Sequence, residues 1–543
     1  MDQTKENYLV PKKLHLSKDN LSNLNKRIIN KDNQLRDGSV LMETIFDFST
    51  DAVQLIAKEI ASAKKYVRIA MFQIHREDIF KTLTDLLANK VRVEVLTLPY
   101  DSINDDVRPQ VEKRLRELSN NGATIYFDKW NVGDPRETRT AFGRWYSFHG
   151  KFIVTEKSAI ALSANFTHAE ELDAAIIFRG NESKIKEFND QFERLLQLFV
   201  TRENNFDGEI RKKVLDIVSM NGERLFDLPE KVDKIHKDHW ILHYPVELCP
   251  PVTTPEDKLY LTPFDCRGRT LLCNIIENAD KWVYISTESF TDEDFSKFLT
   301  NFTINKGIIP KIITGARSRD FTDRLENMFR DLLAQKIEIK TPIDPIHAKL
   351  VITDKALVVS SINLNKMNLG HFKTKKFWRE NTESILVCQN SALILAAKRK
   401  FEENFDKSID VQDLLCDKLE KLVKDVFQGA FQLSPTPEVR ALFARFILKR
   451  EIDTKKTVIK VSKITKKLMV HYGRDRVEKD DFISALVLYH LSEAKKDYNQ
   501  LKEKLNELDD SINLKDTLSR LISANLIEKE DEYFKINIDA LTL

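Results

Sequence analysis

Two stretches of the chain carry the same reactive side chains at the same spacing. In FHGKFIVTEKSAIALSAN (148–165), His149 is followed by Lys151, Glu156, Ser163 and Asn165. In IHAKLVITDKALVVSSIN (346–363), His347 is followed by Lys349, Asp354, Ser361 and Asn363. In both, the acid lies five places after the lysine and the asparagine sixteen after the histidine. A single His-x-Lys pair arises often by chance. Five polar positions in register on the same apolar background mark an internal repeat. Imidazole, with a pKa of about 6.5, serves near neutrality as nucleophile, base or acid. Lysine and asparagine are donors that stabilise an anionic oxygen as charge builds. Each copy therefore holds an acid–base group beside an anion-binding pair.

The repeat extends upstream into the elements that must position these groups. IAKEIASAKKYVRIAMFQIHREDIFKTL (56–83) matches LLCNIIENADKWVYISTESFTDEDFSKFL (271–299) in pattern. Each predicts an amphipathic helix, a short β-branched strand and an acidic cap opening a second helix. VRVEVLTL (91–98) and IIPKIITG (308–315) supply the next strand of each copy. The expected fold is α/β, with two halves related by a pseudo-twofold axis. From Val67 to His149 is 82 residues, and from Val283 to His347 only 64. The first copy thus carries about 18 extra residues, placed within DKWNVGDPRETRTAFGRWYS (128–147). That loop holds Arg136, Arg139, Arg144 and Trp145, expected to bind substrate beside His149. The second copy has its own insertion after Asn363, KMNLGHFKTKKFW, with four lysines.

The paired His-x-Lys-x4-Asp/Glu…Ser-x-Asn motif resembles the phospholipase D superfamily, over roughly residues 40–408. Glu156 stands where that family usually has Asp, and neither copy has the glycine common before the serine. The resemblance implies a phosphodiesterase that works without metal or other cofactor. One histidine attacks phosphorus to form a covalent phosphohistidine; the second protonates the leaving group and then activates water. The two would titrate as a coupled pair. Lys151, Lys349, Asn165 and Asn363 would meet the charge on the non-bridging oxygens, with Ser163 and Ser361 as auxiliary groups. The nearly symmetric motifs leave open which histidine attacks; the resemblance favours His149, with His347 as acid. In the family an acid on a strand after the asparagine holds the second imidazole nitrogen. Glu383 in NTESILV fits this role, and Asp173 in ELDAAIIF is its counterpart in the first copy. Glu156 and Asp354, by the same resemblance, are structural.

The totals narrow the setting. Apolar residues make up 42% and charged residues 31%, a globular rather than a disordered composition. No apolar run approaches the ~20 residues that cross a bilayer, and the polar N-terminus lacks a signal-peptide core, so a cytoplasmic protein without membrane insertion is expected. Five scattered cysteines with no Cys-x-x-Cys signal neither disulfides nor thiolate zinc. His236, His239 and His243 cluster without a completing ligand, so no metal site is expected.

The net charge of +2 hides an uneven distribution: residues 440–479 hold 13 Lys/Arg against 4 Asp/Glu, and residues 1–36 hold 8 against 4. Such concentrations fit a polyanionic partner, DNA ahead of RNA. The expected order is a basic N-terminal arm (1–40), a first repeat (41–205), a linker (206–258) and a second repeat (259–408). A helical domain (409–510) and a winged-helix end (511–543) follow, and this C-terminal region is also a candidate protein-binding site. It carries no Gly-rich phosphate loop, so an ATPase is not indicated. The expected activity is that of a nuclease of restriction or defence type. A lipid-acting phospholipase or phosphatidyltransferase is the alternative, and a non-catalytic polyanion-binding scaffold the third.

Overall fold

The structure is a computed structural model that describes residues 42–97, 107–128, 148–167, 171–203, 216–218, 224–227, 243–246, 249–252, 254–315, 323–375, 377–448, 454–506 and 512–537. The N-terminal arm, the loop with Arg136, Arg139, Arg144 and Trp145, and His236 and His239 lie outside the described residues. By its internal contacts the chain divides into two units. One comprises Met1–Gly268, Lys355–Ile362 and Phe372–Lys400; the other Arg269–Asp354, Asn363–His371 and Phe401–Leu543.

The first unit is built on a mixed sheet of strands β1 (Glu43–Ser49), β2 (Tyr66–Met71), β3 (Arg92–Thr97), β4 (Thr124–Asp128), β5 (Lys151–Thr155), β6 (Ser158–Leu162), β7 (Asp173–Arg179) and β8 (Val200–Glu203). Their order is β1-β7-β6-β5-β2-β3-β4-β8. β2, β3 and β4 run parallel because helices Glu77–Ala88 and Arg108–Asn120 return the chain between them. Isoleucine and valine on successive strands bury one face: Val67, Ile69, Val95, Ile125, Ile153 and Ile177 pack beneath Ile56, Leu83 and Leu115 of the helices. The other face is aromatic. Phe188 and Phe192, from helix Glu182–Phe199, meet Phe152 edge-on at 5.8 and 6.5 Å. Each such fully buried ring contributes about 1.5–3 kcal/mol. The alternation of Phe152 and Ile153 between the faces is the period-two pattern of a strand buried on both sides.

The same unit also holds β12 (Leu259–Leu261), β17 (Leu357–Ser360) and β20 (Ser384–Cys388), all from the second repeat and paired β12-β20-β17. In the second unit β13 (Val283–Thr287), β14 (Lys311–Thr314) and β15 (Glu338–Thr341) are parallel, and β16 (Leu350–Thr353) lies antiparallel to β13. The register repeats: Val67 faces Thr155 and Ile69 faces Ile153, as Val283 faces Thr353 and Ile285 faces Val351. The strand expected from Ile308 begins instead at Lys311, since Pro310 has no N–H to give a ladder.

Beyond Phe405, helices Val411–Phe431, Pro437–Leu448, Thr454–Tyr472 and Lys479–Leu491 follow one another. Asp481 to Leu491 are buried on every side, which marks that last helix as the centre of its bundle. Helix Thr454–Tyr472 buries Val458, Val461, Leu468 and Met469 and exposes Lys456, Lys460 and Lys463. The chain closes with helices Tyr498–Asn506 and Leu514–Ser523 and three short strands, Lys496–Asp497, Ile527–Glu530 and Tyr533–Ile536. Among the described residues no helix is long and apolar enough to cross a membrane.

Candidate active site

In the first unit, the end of β2 and the start of β5 meet where Met71 pairs with Lys151. β6 ends at Leu162 and β7 starts at Asp173 on the same edge, so the motif residues gather at the carboxyl ends of the parallel strands. His149 is anchored by its own N–H, which donates to the Thr382 carbonyl at 2.8 Å. Gly150 then leaves room for the crossing: a Cβ there would come within 2.6 Å of the Phe148 ring. Nδ1 of His149 lies 2.8 Å from Oε2 of Glu383. A carboxylate at that position fixes the proton on Nδ1 and leaves Nε2 with its lone pair. Lys151, fully buried, donates from Nζ to the His149 carbonyl at 2.9 Å and sits 3.2 Å from Nε2. The Phe72 ring meets the imidazole edge-on at 4.6 Å.

The serines lock the acids in place. Ser361 donates to Glu383 Oε2, while the Ser384 N–H donates to the Ser361 hydroxyl at 2.9 Å. In the first copy the Ser163 hydroxyl donates to Asp173 Oδ1 at 2.9 Å, and the Ala174 N–H donates to Ser163 at 2.9 Å. Burial alone would push the Glu383 carboxyl up. The adjacent His149 and Lys151 charges and the bonds from His149 and Ser361 more than offset this and hold it below the usual range. Half-buried Asn165 is placed by its neighbour Phe166, whose N–H donates to Gln73 and whose carbonyl accepts from Arg76.

In the second unit, the buried Lys349 precedes β16 and donates to the His347 carbonyl, as Lys151 does to His149. Lys349 Nζ and Asn363 Nδ2 each lie 3.1 Å from Oε2 of Glu288, and His347 Nε2 is 3.4 Å from the same oxygen. Burial raises the Glu288 carboxyl, but the Lys349 and His347 charges and the Asn363 bond hold it well below the usual range. Glu156 and Asp354 are occupied elsewhere. Glu156 accepts from the Lys64 and Lys65 amides at 2.8 and 3.2 Å, and Asp354 from those of Asp280 and Lys281 at 3.0 and 3.2 Å. Each pins the turn that leads into β2 or β13.

The family described as "Cardiolipin synthase, PLD-like domain" matches residues 56–196 and 272–407, just over half of the chain and both copies of the motif. This chain belongs to the phospholipase D-like family. It is an enzyme of the phospholipase D superfamily, whose members are phosphodiesterases. Among solved structures it is similar to the phosphatidylserine synthase of Haemophilus influenzae Rd KW20, at 13% identity over 68% of this chain and 87% of that one, with a TM-score of 0.45. The polyphosphate kinase of Porphyromonas gingivalis matches at 11% identity, 66% and 50% coverage and a TM-score of 0.37. Nuc of Salmonella typhimurium, a phospholipase D family member, matches at 19% identity, 28% and 95% coverage and a TM-score of 0.23. No curated protein matches the chain.

Two residues of this phospholipase D-like site escape the motif. Phe72 and Glu288 each stand one place beyond the end of their strands, β2 and β13. Aligning AMFQI (70–74) with STESF (286–290) pairs them and exposes the change of character.

Proposed function

We propose that the protein is a metal-independent nuclease of the cytoplasm that cleaves phosphodiesters of nucleic acid, DNA foremost, through a phosphohistidine on His149. With Nδ1 committed to Glu383, the His149 lone pair is on Nε2, the atom that would attack phosphorus. His347 is the general acid, and Lys151 and Lys349, with Asn165 and Asn363, carry the phosphoryl charge. The choice of nucleic acid over lipid rests on one observation. Lys456, Lys460 and Lys463 lie exposed at i, i+4 and i+7 on helix Thr454–Tyr472, a cationic stripe suited to a phosphate backbone. Arg474 and Arg476 extend the exposed basic surface just past that helix. In this reading helix Leu514–Ser523 and strands Ile527–Glu530 and Tyr533–Ile536, within 511–543, are a winged-helix end that docks nucleic acid or a protein partner.

The test is incubation of the purified protein with labelled DNA, labelled RNA and phospholipid vesicles, all in excess EDTA. Nucleic acid fragments with intact lipid support the reading. Turnover of lipid alone overturns it in favour of a phospholipase or phosphatidyltransferase.

A further inference from the structure

The two copies differ in character at a position just beside the motif. One residue past β2 the first copy has Phe72, packed on the His149 ring; one residue past β13 the second has Glu288. The positions correspond structurally as well as in sequence. Two residues on, Ile74 bridges Phe166 and Phe290 bridges Leu364, each just after the motif asparagine. A carboxylate therefore stands in the second half-site at the position where the first has a ring.

Its contacts are those of a ligand. Lys349 Nζ at 3.1 Å, Asn363 Nδ2 at 3.1 Å and His347 Nε2 at 3.4 Å converge on the single oxygen Oε2. A non-bridging oxygen of a phosphodiester would ask for the same lysine and asparagine. The lysine is the fixed partner: its side chain is 1% exposed, whereas that of Glu288 is 43% exposed. The Glu288 backbone is also held, because Gly315 passes so close that a Cβ would come within 2.7 Å of the Glu288 carbonyl. The Glu288 carboxylate, unlike the lysine it faces, therefore has a side open towards water.

We propose that Glu288 is a specificity-determining residue, a resident carboxylate that occupies the anion position of the second half-site until a substrate phosphate displaces it. This rests on the reading of Lys349, Asn363 and His347 as phosphoryl-site groups. Displacement costs the charge-assisted bonds that Glu288 makes. A small anion offers only its own contacts in exchange. An extended substrate offers binding from remote contacts as well, so the carboxylate discriminates against free phosphate and small diesters.

The full chain with Glu288→Gln keeps the shape and loses the charge; Glu288→Ser removes both. Inhibition by inorganic phosphate and KM for bis(4-nitrophenyl) phosphate are measured for each. Both constants should fall by roughly tenfold, the worth of one charge-assisted hydrogen bond. Weakened or unchanged anion binding in the folded variants overturns the inference. Lys349→Met introduced into the Glu288→Gln protein separates the two levels, with binding of inorganic phosphate read by isothermal titration calorimetry, which needs no turnover. Loss of phosphate binding there supports the Lys349 site as the displaced position. Phosphate binding indifferent to Lys349 would overturn the phosphoryl-site reading beneath the inference, and the inference with it.

Discussion

Nδ1 of His149 is held at 2.8 Å by Oε2 of Glu383, so the imidazole of the first repeat is oriented by a carboxylate of the second, 234 residues along the chain. That oxygen also receives the Ser361 hydroxyl. It follows that the tautomer of one motif is set by the serine and acid of the other.

Glu383→Gln should therefore damage the chemistry of His149 rather than substrate binding. The amide releases Nδ1 from its carboxylate partner, and kcat should fall by roughly two to four orders of magnitude with KM little changed. Steady-state kinetics on a small diester check this; an unchanged kcat would remove Glu383 from the mechanism.

His149→Ala and His347→Ala should each abolish turnover of a diester with a poor leaving group. Groups that act as a unit are non-additive, so the double variant should be hardly worse than either alone. With an activated aryl diester, whose leaving group needs no proton, His347→Ala should retain partial activity or trap an acid-labile phosphate on His149. Mass spectrometry locates the adduct, and finding it on His347 would reverse the two roles.

In the proposed function, lysines and asparagines supply the charge stabilisation that a metal ion gives in other phosphodiesterases, so cleavage should persist in excess EDTA. Complete loss, restored by Mg²⁺ or Mn²⁺, would place the chemistry elsewhere.

Acid should weaken the fold partly through Glu383. Its carboxyl is held below the unfolded value of about 4.3, so the folded state binds fewer protons. The stability this adds is complete above the unfolded pKa and is lost as pH falls through the folded one. The Tm gap between the wild-type protein and Glu383→Gln should accordingly narrow between pH 6 and pH 3. A gap independent of pH would show that the carboxylate's charge contributes nothing.

Replacing Lys456, Lys460 and Lys463 by Glu should lower affinity for long DNA and flatten its salt dependence, by about one unit of slope for each phosphate no longer neutralised. Hydrolysis of a small diester should be untouched. Unchanged DNA binding in that variant would turn the stripe into a protein-docking surface.

Much of this was legible in the sequence, for a physical reason. Histidine and lysine lie at the start of one strand, serine and asparagine just past the end of the next, and the sheet fixes the lengths of both, so their spacing survives as a linear pattern. The structural role of Glu156 and Asp354 was implied by the family resemblance, and both accept backbone amides at the turns into β2 and β13. The partnership of His149 with Glu383 was not, because spacing along a strand says nothing of which imidazole a distant carboxylate meets. Glu288 was missed because it departs from the repeat, and a search for matching polar residues passes over a position where one copy is phenylalanine. Pro310 was a readable signal that shortens β14, and only the hydrophobic run around it pointed the other way.

Duplication ordinarily frees one copy of a gene to drift while the other keeps the old task. Here that freedom is gone. A change that silences Glu383 in the second copy is felt at His149 in the first, and β12, β17 and β20 have passed into the unit that houses the first copy. The second half cannot be cut away or altered at Glu383 and leave the histidine of the first in working order.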